Sequence, residues 1–323
     1  QCIVDQLSLP IVIDEHDIFT SCSIGIVTAD VTHTSPEDLL RDADIAMYEA
    51  KKQGQRRWAF FDVSMREAAI DALVMQNALK QAVVNNEFSV VYQPIYNIFT
   101  GEISGAEALV RWRHPVLGQV SPAIHELGRW VMQEGCAELQ RWKAEFPALI
   151  LHLNVNVSGV ELSRPGYASQ VKEILAQTGI DANDLQVEIT ESVFLHQPDA
   201  IARVLESLRE LGVRIALDDF GTGYSALGYI DRYPIDAIKI DQSFVSRMMT
   251  YHRSEAIVGS ILSLGRALHI DIIAEGVETQ PQLQRLREME CPFVQGYLLS
   301  QPVNAEKIVT LLESQTPNAV SEN

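Results

Sequence analysis

From about residue 86 to residue 314 the chain alternates short apolar runs with amphipathic stretches, and this alternation limits its possible folds more than any other feature. Eight strand-like runs can be marked, at 88–95, 106–112, 149–155, 185–189, 214–217, 237–240, 270–274 and 293–298. Helical patterns lie between most of them, clearest at 198–211, 254–268, 280–290 and 305–313. Strand–helix alternation over about 230 residues predicts an α/β domain, and eight strands in that length fit a TIM-like (βα)8 barrel. A doubly wound sheet would need a glycine-rich phosphate turn after its first strand, where Gln93-Pro94-Ile95 stands instead.

Residues 1–63 differ in kind. A strand-like pair around 11–13 and 19–27 precedes a helix that Ser35-Pro36-Glu37-Asp38 would open, with Ser35 as N-cap and Pro36 at the first helical position. This is too little chain to bury a core alone, so it reads as the back half of a domain. Residues 64–84 contain no Gly or Pro and predict one connecting helix, and 315–323 read as a disordered tail. The barrel then occupies 85–314.

The 323 residues carry 25 Lys+Arg against 43 Asp+Glu, a net charge of −18. That balance argues against DNA, RNA polymers or an anionic membrane surface as partners, but not against a small phosphorylated ligand held locally. Four cysteines, Cys2, Cys22, Cys136 and Cys291, lie far apart, which fits free thiols in a reducing cytoplasm better than a disulfide scaffold or zinc site. No apolar run reaches the roughly 18 residues of a membrane span. No signal peptide opens the chain, and a sensor or membrane segment upstream of Gln1 is compatible with it.

Polar residues gather where the strand-like runs end: Gln93; Glu107 and Arg111; Asn156; Glu188 and Glu191; Asp218 and Asp219; Lys239 and Asp241; Glu275 and Glu278; Gln295. In a barrel these ends converge on one mouth. So many carboxylates would raise each other's pKa unless cations sat among them. The donors are all oxygen, which favours Mg²⁺ or Mn²⁺ over Zn²⁺ or Cu²⁺. Adjacent Asp218 and Asp219 could serve two ions, an arrangement suited to in-line displacement at phosphorus. Any one of these acids could instead cap the following helix, Glu191 and Glu278 most readily. Lys239, flanked by Ile238 and Ile240, is a poor candidate for a merely structural residue, because buried lysines are rare without partners.

These residues fall in blocks that resemble the EAL-domain phosphodiesterases of cyclic di-GMP. The blocks are Tyr92-Gln93-Pro94-Ile95, Glu107-Ala108-Leu109-Val110-Arg111-Trp112, Asn156-Val157-Ser158, Glu188-Ile189-Thr190-Glu191, Asp218-Asp219-Phe220-Gly221-Thr222-Gly223-Tyr224-Ser225, Lys239-Ile240-Asp241, Ala274-Glu275-Gly276-Val277-Glu278 and Gln295-Gly296-Tyr297. The resemblance implies a TIM-like barrel with one antiparallel strand. It implies that Glu107, Asn156, Glu188 and Asp218 hold one metal ion, and Asp218 and Asp219 a second. Lys239 and Glu275 would orient and activate the attacking water. Gln93, Leu109, Arg111, Asp241, Glu278 and Gln295 would contact the dinucleotide. Phe220, Gly221, Thr222, Gly223, Tyr224 and Ser225, with Glu191 supporting them, would order the second-metal ligands and contribute to a homodimer. Ser23-Ile24-Gly25 and the run Ala43-Asp44-Ile45-Ala46-Met47-Tyr48 resemble the end of a GGDEF (diguanylate cyclase-like) domain. One departure lies after Ser121-Pro122-Ala123, where about ten residues of the family pattern have no counterpart before Ile124.

The expected activity is therefore metal-dependent hydrolysis of cyclic di-GMP to linear pGpG, by in-line attack of a metal-activated water, with two Mg²⁺ or Mn²⁺ ions per site. The alternative is a catalytically silent cyclic di-GMP receptor that relays binding through the connecting helix. A sugar-processing barrel with two carboxylates would leave Asp218, Asp219 and Lys239 without a task.

Overall fold

The computed structural model describes residues 11–13, 16–18, 22–29, 35–52, 57–70, 78, 82, 85, 87–114, 118–120, 127–195, 198–221 and 227–315. They divide into two units, Gln1–Glu87 and Phe88–Asn323. Several expectations fall outside these residues: the Ala123–Ile124 junction, Thr222 to Ser225, most of the second half of the 64–84 helix, and the tail after Gln315.

In the first unit, β1 (Ile11–Ile13) pairs antiparallel with β2 (His16–Ile18). β3 (Ile24–Ile26) runs parallel to β4 (Trp58–Phe60), and the Pro36–Lys52 helix lies between them in sequence. Ser35 opens that helix as expected. Its hydroxyl accepts from the Asp38 N–H at 3.2 Å, and the Asp38 carboxylate accepts from the Ser35 N–H at 3.2 Å, a reciprocal cap. Fully buried Asp42 receives Arg66 Nε at 3.1 Å, which ties this helix to the helical residues 63–70.

The second unit is a closed barrel. Its strands are β5 (Phe88–Asn97), β6 (Ile103–His114), β8 (His152–Asn156), β9 (Leu185–Thr190), β10 (Arg214–Phe220), β11 (Ala237–Ile240), β12 (Asp271–Ala274) and β13 (Phe293–Val294). They neighbour one another in the order β5-β13-β12-β11-β10-β9-β8-β6, and β5 also pairs with β6, so the ring closes. β5 is antiparallel to both neighbours, and the other pairs in the ring are parallel. A short strand outside the ring, β7 (Gly118–Val120), adds to the free end of β6. The expected barrel with one reversed strand is present.

Period-two alternation explains the two faces of each strand. Leu153 and Val155 of β8, Val187 and Ile189 of β9, Leu217 of β10, and Ile238 and Ile240 of β11 belong to one buried core with the surrounding helices. Each such side chain contributes about 2 kcal/mol by leaving water. The residues between them, including Asn154, Gln186, Glu188 and Lys239, are polar and buried. This barrel therefore fills much of its interior with polar groups where the fold ordinarily stacks branched aliphatics.

The eighth strand is shorter than the apolar run 293–298 predicts. A Cβ at Gly296 would stand 2.2 Å from the Val277 carbonyl oxygen, so the backbone crosses Val277 there and leaves the sheet after Val294. Among the described residues no helix is long and apolar enough to cross a membrane.

Candidate active site

β11 carries Lys239 into the barrel, where only 1% of the residue is exposed. Its Nζ lies 2.8 Å from Glu188 Oε2, 2.8 Å from Glu275 Oε1, 3.2 Å from Glu107 Oε2 and 3.5 Å from Asp218 Oδ1. Burial alone would lower the lysine's pKa, but these four carboxylates outweigh it and hold the ammonium well above its ordinary range. These surroundings keep Lys239 in its ammonium form.

The carboxylates are not equivalent. Burial works to raise Glu107, but Lys239 and hydrogen bonds from Gln295 and Asn156 hold it below its ordinary value. Gln295 Nε2 donates to Glu107 Oε2 at 2.8 Å, and Asn156 Nδ2 donates to Oε1 at 2.6 Å. Glu188 is raised well above its ordinary value by burial, with Lys239 offsetting only part and Glu107 and Asp218 adding to it. Glu275 is pushed up to about 7, again chiefly by burial. One ammonium does not balance this many buried carboxylates, and Glu188 and Glu275 are the two whose ionised forms burial disfavours.

Alternation should point adjacent Asp218 and Asp219 to opposite faces of β10. A bulge prevents it. Leu217 pairs with Ile238 and Phe220 with Ile240, so three steps on β10 match two on β11. Asp219 takes a left-handed conformation, φ 53°, which is uncommon outside glycine and recurs at functional sites. Bulges re-aim side chains in this way. Carboxylate oxygens of Asp218, Asp219 and Glu275 all come within 4.8 Å of one another. Hard oxygen donors, close spacing and surplus negative charge fit a divalent cation of the Mg²⁺ class. Glu107 and Glu188 join this cluster through Lys239, which reaches them as well as Asp218 and Glu275, and Asn156 joins through its bond to Glu107. The proximity of Glu275 to both aspartates places it with the candidate ligands as well as beside Lys239.

A cavity of about 270 Å³ opens beside these groups, and Gln93, Glu107, Asp219, Asp241, Glu275, Glu278 and Gln295 line it. These are residues the sequence singles out. Leu109 and Arg111 stand elsewhere: they follow Glu107 on the same face of β6, and Arg111 Nη1 donates to the Val110 carbonyl at 2.9 Å. Asp241 also caps the helix Gln242–Arg247, accepting from the Ser243 N–H at 3.0 Å. Glu191 is buried, and its Oε1 accepts from the Gly221 N–H at 2.9 Å, a clasp between the end of β9 and the start of the glycine-rich loop. Phe220, just before that loop in sequence, is buried.

Three residues at the site were assigned no role from the sequence. Gln242 and the exposed Tyr297 line the cavity. Asn154, buried one turn of alternation before Asn156, donates to Glu188 Oε1 at 2.7 Å. The even spacing of Asn154 and Asn156 on one strand was the signal available.

Residues 76–302 match the EAL domain family, and residues 1–57 match the diguanylate cyclase GGDEF domain family. The oxygen sensor protein DosP of Escherichia coli K12 is 38% identical over 333 residues, covering 98% of this chain and 41% of DosP. The bifunctional diguanylate cyclase/cyclic di-GMP phosphodiesterase MucR of Pseudomonas aeruginosa is 35% identical over 318 residues, covering 95% of this chain and 46% of MucR. The chain thus spans less than half the length of these relatives. A solved structure described as the PaMucR phosphodiesterase, c-di-GMP complex, superimposes with a TM-score of 0.69 at 35% identity, covering 72% of this chain and 98% of that one. The EAL enzyme Bd1971 in its cAMP-bound form gives 0.72 at 30% identity, covering 77% and 73%. With the closed mixed barrel and its acidic mouth, these matches place the chain in the EAL-domain family, with a GGDEF-family fragment at its N-terminus.

Proposed function

We propose that the barrel is a metal-dependent phosphodiesterase that opens cyclic di-GMP to linear pGpG. The observation that carries this reading is the interior constellation of Glu107, Glu188, Asp218, Asp219 and Glu275 around one charged lysine. The kinship with MucR, named as a cyclic di-GMP phosphodiesterase, supports the substrate. Two Mg²⁺ or Mn²⁺ ions would be held, one by Glu107, Asn156, Glu188 and Asp218, the other by Asp218 and Asp219, with Glu275 adjoining. When bound, such cations supply Lewis-acid stabilisation of charge developing on the phosphoryl oxygens.

The chain's own residues do the rest. Glu275, titrating near neutrality, accepts a proton as water attacks phosphorus in line. The bond to the 3′ oxygen breaks, that oxygen takes a proton from solvent water, and Glu275 returns its proton to solvent. Lys239 holds Glu275 and Glu188 in place and supplies a fixed positive charge where negative charge grows. Gln93, Asp241, Glu278 and Gln295 line the cavity and orient the dinucleotide, with Leu109 and Arg111 meeting it farther along β6. The Phe220–Ser225 loop, clasped by Glu191, orders the aspartates and contributes to a homodimer through the barrel. The free thiols Cys22, Cys136 and Cys291 agree with a reducing cytoplasm.

The deciding experiment is incubation of the chain with cyclic di-GMP and Mg²⁺ or Mn²⁺, with chromatographic detection of pGpG. Cation-dependent formation of pGpG is expected. Saturable binding without cleavage under both ions would replace the enzyme with a silent receptor.

A further inference from the structure

β8 lies between the strands that carry two of the site's glutamates, and its two asparagines bond them in a crossed pattern. By register Asn154 stands opposite Glu107 of β6, and Asn156 opposite Glu188 of β9. Each asparagine nevertheless bonds the glutamate on its diagonal. Asn156 Nδ2 donates to Glu107 Oε1 at 2.6 Å, and Asn154 Nδ2 donates to Glu188 Oε1 at 2.7 Å. Diagonal neighbours on one face of a sheet are within reach of side chains this long. The other oxygen of each glutamate faces Lys239, whose Nζ lies 3.2 Å from Glu107 Oε2 and 2.8 Å from Glu188 Oε2. Each carboxylate is thus held at both oxygens, at one from β8 and at the other from the lysine.

The two asparagines differ in position. Asn156 is exposed at the end of β8, whereas Asn154 is buried two residues deeper. Asn154 does not line the cavity at the acidic mouth. It lines a separate cavity of about 390 Å³ at the opposite end of the barrel, where the parallel strands begin. What it touches at the site is Glu188. Among the described residues, Asn154 and Lys239 are the two hydrogen-bond partners of the Glu188 carboxylate. Lys239 is shared among four acids. Without Asn154, Glu188 keeps only that shared anchor and is free to turn.

We propose that Asn154 is a positioning residue of the acidic site: it fixes the Glu188 carboxylate in the orientation that receives a divalent cation, so cation affinity depends on an amide that lies outside the substrate cavity. This rests on the mouth holding such cations.

Mn²⁺ titration of the whole chain, with free Mn²⁺ read by its paramagnetic resonance signal, tests the role without reference to turnover. Asn154→Ala should weaken Mn²⁺ binding by roughly tenfold or more, the scale of losing a partner that orients a metal-holding carboxylate. Gln186→Ala is the control. Gln186 is also a buried amide on the interior face and lines the same far cavity, so its loss should leave Mn²⁺ affinity within about twofold. In a Glu188→Gln background, adding Asn154→Ala should weaken Mn²⁺ little further, because the amide acts through Glu188. Cleavage of cyclic di-GMP by Asn154→Ala should fall at limiting Mn²⁺ and recover toward the wild type at saturating Mn²⁺, which a merely destabilised barrel would not do. Should Asn154→Ala fail to fold, Asn154→Ser, which keeps a polar group but is too short to reach Glu188, carries the same expectations. Unchanged Mn²⁺ affinity in a folded Asn154 variant overturns the role. Equal weakening in Gln186→Ala, or full additivity with Glu188→Gln, overturns it too, since the effect would then be a general loosening of the interior. Absence of Mn²⁺ binding by the wild type would instead overturn the mouth as a metal site, and this role with it.

Discussion

Lys239 Nζ lies 3.2 Å from Glu107 Oε2, although β11 and β6 stand on opposite sides of the ring. β10, β9 and β8 separate them one way, and β12, β13 and β5 the other. The pair is thus a brace across the barrel's diameter. Under the proposed mechanism, the group that would disperse charge during reaction is thus also the one that links the carboxylates on opposite walls.

Lys239→Met should reveal both roles. Removing one partner of a buried ionic network costs about 3–5 kcal/mol because the others are left uncompensated. In cation-free protein the melting temperature should fall sharply, and Mg²⁺ should restore much of it. Turnover should stay at least about a hundredfold down with cation present, the scale of losing an electrostatic stabiliser. Affinity for cyclic di-GMP should change far less. Calorimetric titration beside single-turnover kinetics checks this, and equal losses in binding and turnover would make the lysine structural only.

The raised carboxylates predict a pH dependence with a definite sign. Glu275 titrates near 7 and Glu188 well above its ordinary 4.5, chiefly through burial. Between the unfolded value of 4.5 and the folded value, the native protein binds more protons than the unfolded chain, so its stability falls as pH rises. Glu107, lowered, contributes stability that is lost only on acidification below 4.5. Lys239, raised, loses its contribution only above 10.5. The cation-free melting temperature should therefore fall from pH 5.5 to pH 8. Mg²⁺ should raise it more at pH 8, where protons no longer compete. A cation effect independent of pH would contradict this.

Glu107→Gln is close to isosteric and keeps one acceptor for Gln295 and Asn156. It removes a charge that Lys239 partly neutralises, so the fold should survive. Turnover should drop by two or more orders of magnitude, on the order expected for losing a metal-holding carboxylate. Circular dichroism with the pGpG assay measures both, and wild-type turnover in a folded variant would refute the role. Ca²⁺ should bind the wild type yet support little cleavage, since it accepts similar donors at longer distances.

Gly221 sits at φ 98°, and a Cβ there would meet the Phe244 ring at 2.9 Å. Gly221→Ala should cost about 1–3 kcal/mol through backbone strain and the clash. Because its N–H is the donor to Glu191, the clasp on the loop should loosen. Activity should fall more than stability explains, and Glu191→Gln, which keeps an acceptor, should fall less. Parallel melting and activity curves decide it.

The barrel was legible because alternation survives in each strand whatever lines the interior. Glu107, Glu188, Lys239 and Glu275 were legible because a charge inside an apolar run needs a reason. The bulge at Asp218 and Asp219 was not. It depends on the offset between Leu217 and Phe220 against β11, which is a property of two strands together. Asn154 escaped because one amide inside an apolar strand run gives no sign of its partner, and its bond to Glu188 exists only once β8 and β9 are in register. The run 293–298 gave too long a strand because apolar Leu298 belongs to the turn around Val277, where its N–H donates to the Val277 carbonyl at 3.0 Å.

The ring is sealed by β13, whose two residues pair with Asn97 and Tyr96 of β5. Contacts across that seam join distant parts of the chain: Gln93 and Ser300 are 207 positions apart, and Gln295 and Glu107 are 188 apart. Such closures form late, because chain entropy must be given up before they offer anything in return. The β5–β6 hairpin, with its short turn, can form early and must then wait for the shortest strand in the sheet. During synthesis, Glu107 emerges long before the Gln295 amide that helps keep it ionised. The Gln295–Glu107 bond should therefore be among the last contacts the barrel makes, following the pairing of Phe293 and Val294 with β5.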